Sequence, residues 1–254
     1  WFEYGENKPK DYTQAIEKTI LYPEKLAKES NKKIVVFLDE FQEIKNLGIL
    51  NALRENMQKT TRVNYVISGS AVGLLAQIVG SRKSPFYGFF LQKQIRGLSE
   101  ESAEKLLSRT KKKRITIEPS VVQKVVQKTR GYPLYLQAFG NAALDLAFLK
   151  KTRKIGDELF DECWQRMFED IYFHFQYLEG ELKGKKRAIA EAIALDAPLS
   201  VSAISRSTGI PINELGTYTN RLVREGILEK NNSAYSFTDP VFEEWLKKSK
   251  QERA

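Results

Sequence analysis

The sequence predicts an α/β fold with a partial parallel sheet in its first third, followed by a small helical domain and a C-terminal winged helix-turn-helix. Three observations predict it. Residues Ile34 to Glu40 read Ile-Val-Val-Phe-Leu-Asp-Glu, five apolar residues rich in β-branched types that end in two adjacent carboxylates. A strand buried on both faces of a parallel sheet delivers acids to a sheet edge in this way. A second apolar run, Val63 to Ile67, follows after one helical stretch and ends in Ser68-Gly69-Ser70. From Leu98 onward helical periodicity dominates, until two short strand patterns flank Asn231-Asn232-Ser233.

The bulk composition is consistent with this plan. A chain of 254 residues with 42% hydrophobic and 29% charged residues can bury a substantial core, in two or three units. No apolar run approaches membrane-spanning length, so a cytoplasmic protein is expected. Cys163 is the single cysteine and cannot form an internal disulfide, and His174 is the single histidine, so no His/Cys metal cluster can assemble. Both lie in the helical pattern Asp157 to Leu178 and read as packing residues. The chain begins at Trp1 rather than Met, which suggests a fragment or a processed product. Its formal charge is +9, from 41 Lys and Arg against 32 Asp and Glu. Part of that excess is one run, Arg109 and Lys111 to Arg114, which reads as a solvated connector, with phosphate binding as the alternative.

Each element follows from local pattern. The stretch to about Asn31 is helical, with Ile16, Ile20, Leu21 and Leu26 spaced to bury one side. After the acidic strand, Phe41 to Gln58 places Ile44, Leu47, Leu50, Leu53 and Met57 at helical spacing. Strand, helix, strand implies parallel neighbours whose C-termini share one rim, bringing Asp39 and Glu40 beside Ser68 and Ser70. A third strand is expected in Phe89 to Ile95, after the turn-prone Ser84-Pro85-Phe86-Tyr87-Gly88. Ser99, backed by Glu100 and Glu101, starts a helix carrying Ala103, Leu106 and Leu107. Helices Pro119 to Thr129 and Pro133 to Leu149 follow, joined through Gly131-Tyr132-Pro133. Gly156 to Glu179 reads as one long bridging helix whose stripe of Phe160, Trp164, Phe168, Ile171, Tyr172, Phe175 and Leu178 is packing. In the last segment Arg187 to Leu195 is a helix, Ser200 caps a second, Asn213 caps a third through Arg224, and Gly226 ends it. Strands Ile227 to Lys230 and Ala234 to Phe237 form a wing, and Asp239-Pro240 starts a final helix.

The acidic strand has the pattern of a Walker B motif. In such motifs the Asp holds Mg²⁺ and the following Glu orients the attacking water, so Asp39 and Glu40 point to ATP hydrolysis. Ser68 or Ser70, at the end of the neighbouring strand, can hydrogen-bond phosphate or that water; the plainer alternative is that Ser-Gly-Ser merely allows a tight turn. No G-x-x-x-x-G-K-[ST] phosphate loop occurs in the sequence. On the third helix of the C-terminal segment, Thr217, Tyr218, Asn220, Arg221 and Arg224 can face DNA, Arg and Asn reading base edges and Thr and Tyr reaching phosphates. From Gly184 onward, however, there are 11 Lys and Arg against 9 Asp and Glu, a weak charge for an independent DNA binder, so a protein partner is the alternative.

In their order, Phe37 to Glu43, Val66 to Ser70, Ser84 to Gly88, Gly131 to Leu136 and Phe237 to Leu246 resemble the archaeal P-loop ATPases of the AAA+/STAND group, which are related in architecture to origin-recognition initiators. The resemblance implies an α/β P-loop ATPase core with a partial sheet over 1–97, a helical lid over 98–155, a bridging helix over 156–183 and a winged helix over 184–254. It implies ATP and Mg²⁺ as cofactors, Asp39 as the metal-site acid, Glu40 as the catalytic base, Ser68 as the sensor region, and Gly131 with Pro133 as a G-x-P signature beside nucleotide. Two departures stand out. Many relatives have an arginine where this chain has Phe89, leaving Arg82 or Arg96 as substitutes. The phosphate-loop strand is the larger one; its loss would expose sheet edges, so the natural protein is expected to extend N-terminally by a strand, a phosphate loop and a helix. The function expected is an ATP-driven switch read out by the winged helix. The alternatives are a non-catalytic DNA-binding regulator and a protein-interaction module on a degenerate ATPase scaffold.

Overall fold

Helix α1 (Pro9–Glu29) lays Ile16, Ile20, Glu24 and Ala27 along one face, and that face packs on strands β1 (Ile34–Leu38) and β2 (Val63–Ile67). The structure, a computed structural model, describes the backbone of residues 9–70 and 72–253, and their side chains apart from residues 9–14, 46 and 72. The part of the first helical stretch before residue 9 lies outside the described residues. Leu26, expected on the buried side, is 38% exposed, and the charged Glu24 takes the inner position instead.

β1 and β2 are parallel and in register from Ile34 opposite Val63 to Leu38 opposite Ile67. Ile34, Val36, Leu38, Val63, Tyr65 and Ile67 therefore share one face. The other face is open: Val35, Phe37 and Val66 are exposed, so β1 is not the doubly buried strand that its unbroken apolar run predicts. Between the strands, the expected single helix is divided. Phe41–Leu47 is 3₁₀, Gly48 turns left-handed at φ 68°, and α2 (Leu50–Gln58) restarts from there. Helix α3 (Val72–Gly80) follows β2. The expected third strand in Phe89 to Ile95 does not form. Phe86 is fully buried and packs with Phe41, Phe89 and Phe90, whereas Leu91 and Ile95 are exposed, so this stretch lacks the alternation a strand needs.

The described residues form two compact units, one up to Gln92 together with Arg224–Gly226, and one made of Lys93–Val223 and Ile227 onward. In the second, Ser99 caps α4 (Glu100–Leu107) through its hydroxyl, which accepts from Ser102 N. A 3₁₀ turn (Ser108–Lys113), β3 (Thr116–Ile117), α5 (Pro119–Thr129), α6 (Pro133–Leu149) and β4 (Lys154–Ile155) follow. The expected long helix is two helices, α7 (Phe160–Asp170) and α8 (Tyr172–Glu181), broken at Ile171. The aromatic stripe is packing, as expected, except that Tyr172 is 41% exposed. His174, read as a packing residue, is exposed too, whereas Cys163 is buried.

Next come α9 (Lys185–Asp196), β5 (Leu199–Ser200), α10 (Val201–Thr208) capped by Ser200, and α11 (Ile212–Arg224). Asn213 lies inside the first turn of α11 rather than capping it, because the helix already starts at Ile212. Strands β6 (Leu228–Asn231) and β7 (Ala234–Phe237) pair as an antiparallel hairpin, β5 adds to β7, and α12 (Pro240–Arg253) closes the chain. Asp239 caps α12, its Oδ1 accepting from Val241 N and Phe242 N, while Oδ2 accepts the buried Tyr135 hydroxyl of α6.

Candidate functional site

The sheet rim gathers four of the predicted site residues. Beyond the strands the β1–β2 pairing continues, with Ser68 N donating to Leu38 O at 3.0 Å and Phe41 N donating to Ser68 O at 2.9 Å. The two chain ends are therefore locked side by side just where the polar residues begin. The Ser68 hydroxyl donates to Asp39 Oδ1 at 2.6 Å, and Glu40 N donates to the same oxygen at 3.0 Å. The Ser68 hydrogen bond, then that backbone bond, holds the Asp39 carboxyl below its ordinary range.

The Glu40 backbone is left-handed, φ 49° and ψ 40°. A non-glycine residue in that region costs about 1–3 kcal/mol, a strain that surrounding structure must hold. Three donors hold it: Gln42 Nε2 and the Ser70 hydroxyl, the latter at 3.0 Å, both donate to Glu40 Oε2, and Ser70 N lies at 3.4 Å. Gln42, followed by Ser70, draws the Glu40 carboxyl below its usual range, against the opposing effect of neighbouring Asp39. Each carboxylate thus accepts a hydrogen bond from a serine at the end of the neighbouring strand, and Glu40 a further one from Gln42. Gln42 is the functional residue that sequence reasoning missed. It is buried two positions beyond the acids, and a Cβ on Gly69, just past β2, would lie 2.0 Å from its Oε1, so a side chain there would push the Gln42 amide aside. The signal that could have found it is weak, a glutamine between Phe41 and Glu43 in a stretch that is largely polar.

These residues fit the metal half of a nucleotide site. Mg²⁺ at nucleotide sites is held by one or two carboxylates plus phosphate and water oxygens, and both Asp39 and Glu40 are exposed at the rim. Among the described residues there is no cluster of three or more His, Cys, Asp or Glu for an all-protein metal cage. The phosphate cradle is not supplied by a G-x-x-x-x-G-K-[ST] run of this sequence.

The remaining predicted residues lie elsewhere. Phe89, in the place of the expected arginine, has the Arg54 guanidinium 3.8 Å above its ring, and Arg82 and Arg96 are exposed. Gly131 and Pro133 belong to the second unit. Gly131 is left-handed at φ 73° and its carbonyl accepts from Leu98 N at 2.7 Å; a Cβ there would meet Leu98 O at 2.2 Å. Pro133 opens α6 at its first turn. On α11, Thr217, Asn220, Arg221 and Arg224 are exposed. Tyr218 is half-buried against the core, with Lys185 5.8 Å over its ring.

No helix of the described residues is long and apolar enough to cross a membrane. Neither a protein-family model nor a curated protein matches the chain. Among solved structures it is similar to a Walker-type ATPase of Pyrococcus abyssi, with a TM-score of 0.71 and 19% identity over 91% of this chain and 67% of that one. The RuvB Holliday junction branch migration motor of Thermotoga maritima aligns over 83% of this chain and 69% of its own at 18% identity, with a TM-score of 0.43. The likeness to the Pyrococcus enzyme is one of fold, and it gives this chain a helix-rich α/β fold with a small parallel sheet, similar to P-loop ATPases.

Proposed function

We propose that this chain is part of an ATP-binding and ATP-hydrolysing molecular switch with Mg²⁺ as its metal. The observation that carries the reading is the rim itself, two adjacent carboxylates at the end of β1, each fixed by a serine from the end of β2. Asp39, whose Oδ1 accepts from the Ser68 hydroxyl, would hold the metal. Glu40, held ionised by Gln42 and Ser70, is the group that orients water and takes up its proton. Mg²⁺ held at Asp39 would supply neutralisation of charge on the phosphates. Ser70 would reach phosphate or that water, and Gly131 with Pro133 would form the G-x-P turn of a helical lid.

Helices α9, α10 and α11 followed by the β6–β7 hairpin support a winged-helix unit that reads out the switch, with Thr217, Asn220, Arg221 and Arg224 as its DNA-facing residues. In the full-length protein Glu40→Gln keeps nucleotide binding and lowers turnover by two orders of magnitude or more, because general-base assistance typically contributes about 10²- to 10⁴-fold. Unchanged hydrolysis would remove Glu40 from the mechanism. A DNA-binding regulator without catalysis is the rival; salt-sensitive duplex binding that falls on Arg221→Ala and persists without nucleotide would favour it.

A further inference from the structure

The basic run 109–114 has a partner that the sequence does not advertise. Strands β3 and β4 pair in parallel, Thr116 with Lys154 and Ile117 with Ile155, and Thr116 N donates to Arg153 O at 2.9 Å. This small sheet brings Lys113 and Arg114 beside Lys151 and Arg153, from a second basic run far along the chain. Arg114 (φ 62°) and Lys151 (φ 52°) are both left-handed, so the chain turns sharply at each side of the same groove.

The groove has a volume of about 580 Å³, within the range of ligand pockets. Its apolar wall is built from Ile115, Leu144 and Phe148, and Phe148 is 84% exposed. Asp145 is the one acid lining it. Neighbouring cations are already matched, Lys150 with Glu162 at 2.8 Å and Lys154 with Glu118. Among the described residues, Lys111, Lys112, Lys113, Arg114, Lys151 and Arg153 have no acidic partner within ion-pair distance. Several unmatched cations around an uncovered aromatic ring make a charge pattern for a polyanion that also carries flat apolar faces.

We infer that this groove binds single-stranded nucleic acid, its cations along the phosphates and Phe148 stacked on a base. Duplex matches the charge but keeps its base faces stacked on one another, whereas an unpaired strand offers both phosphate and base. The site lies on the helical segment between α4 and α7 and shares no residue with the nucleotide rim or with α11.

The test is fluorescence anisotropy of the full-length protein with a fluorescein-labelled oligo-dT of about a dozen nucleotides. Binding is expected to weaken with salt at a slope of about −0.7 per phosphate neutralised, and Lys113→Gln/Lys151→Gln should flatten that slope by about 1.4. Phe148→Ala is expected to weaken binding about 5-fold or more with the slope unchanged. Both sites are exposed, and unchanged thermal unfolding of the variants shows that they fold. An absent or salt-insensitive interaction overturns the proposal. So does equal affinity for a duplex with no effect of Phe148→Ala, or loss on Arg221→Ala with none on the Lys113/Lys151 variant. Binding of a labelled oligo-glutamate peptide in place of oligo-dT assigns the groove to an acidic protein segment and equally overturns it.

Discussion

Glu24 is a buried acid on the face of α1 where the sequence pattern puts Leu26, and its hydrogen bonds explain how it is held there. Its Oε2 accepts from Arg62 N at 2.9 Å and Thr61 N at 3.0 Å, and its Oε1 accepts from the Thr61 hydroxyl at 2.8 Å. The Arg62 backbone bond, with those from Thr61 and nearby Lys28, draws its pKa down to about 2 although burial opposes the charge. A depressed carboxyl contributes stability in full above its unfolded value near 4.5, and loses it as pH falls from there towards 2. Asp39 and Glu40 shift in the same sense. Wild type is therefore expected to exceed Glu24→Gln in urea-unfolding stability at neutral pH, with the gap closing below about pH 4.5; a gap independent of pH would exclude this role. Cys163 illustrates the opposite sign. Burial, reinforced by Glu162, pushes its thiol up to about 11, so at neutral pH it is protonated and enclosed. A disulfide reagent is expected to label it in urea and to leave it unmodified in the native protein over the same period.

The Ser84–Gly88 turn is anchored as an element by one ring. Phe86 is fully buried, 5.5 Å from Phe41 edge-to-face and 5.6 Å from Phe90 stacked, in the small core with Ile20, Leu53, Met57, Ile78 and Val79. Phe86→Ala should cost about 3–5 kcal/mol in urea unfolding, where a surface turn would lose almost nothing. That difference marks what was legible in the sequence. Elements whose burial and caps both speak, such as α5, α6 and α10 with its Ser200 cap, were read with their boundaries because period and punctuation agree there. The Asp39–Ser68 and Glu40–Ser70 pairings were legible too, since strand, helix, strand forces both ends to one rim. The breaks at Gly48 and Ile171 were hidden, because hydrophobic spacing continues across them while the backbone does not. β3 and β4 were invisible for another reason. Two residues each are too few to show a period, and their pairing depends on chain segments far apart in sequence. The open face of β1 was misread since an apolar run announces hydrophobicity on both sides, whatever the fold then covers.

At the scale of the whole molecule, the two compact units have two separate hydrophobic cores. The smaller holds the candidate nucleotide rim, and the larger runs from Ala103 to Leu246 through the aromatic stripe and the α12 side chains. The segment that leads from one into the other, residues 91–96, has no regular structure, and Leu91 and Ile95 are almost completely exposed. It also carries Lys93 and Arg96, both exposed. A protease needs an extended stretch of chain free of backbone pairing, and exposed loops with few contacts meet that need at the lowest opening cost. The first tight anchor downstream is Leu98, whose N donates to Gly131 O, with Gly97 so close that a Cβ would lie 2.0 Å from Arg130 O. Brief trypsin digestion of the native protein is therefore expected to cut first after Lys93 or Arg96, before the three lysines on α12 or the three in the 3₁₀ turn at Ser108–Lys113. The C-terminal product, beginning at Gln94 or Gly97, should resist further digestion and keep its near-ultraviolet aromatic signal, because nearly the whole aromatic stripe lies within its own core. Mass spectrometry of the first products decides it: early cleavage inside α5, after Lys124 or Lys128, or inside α7, after Arg166, would mean that the larger core does not stand as a unit.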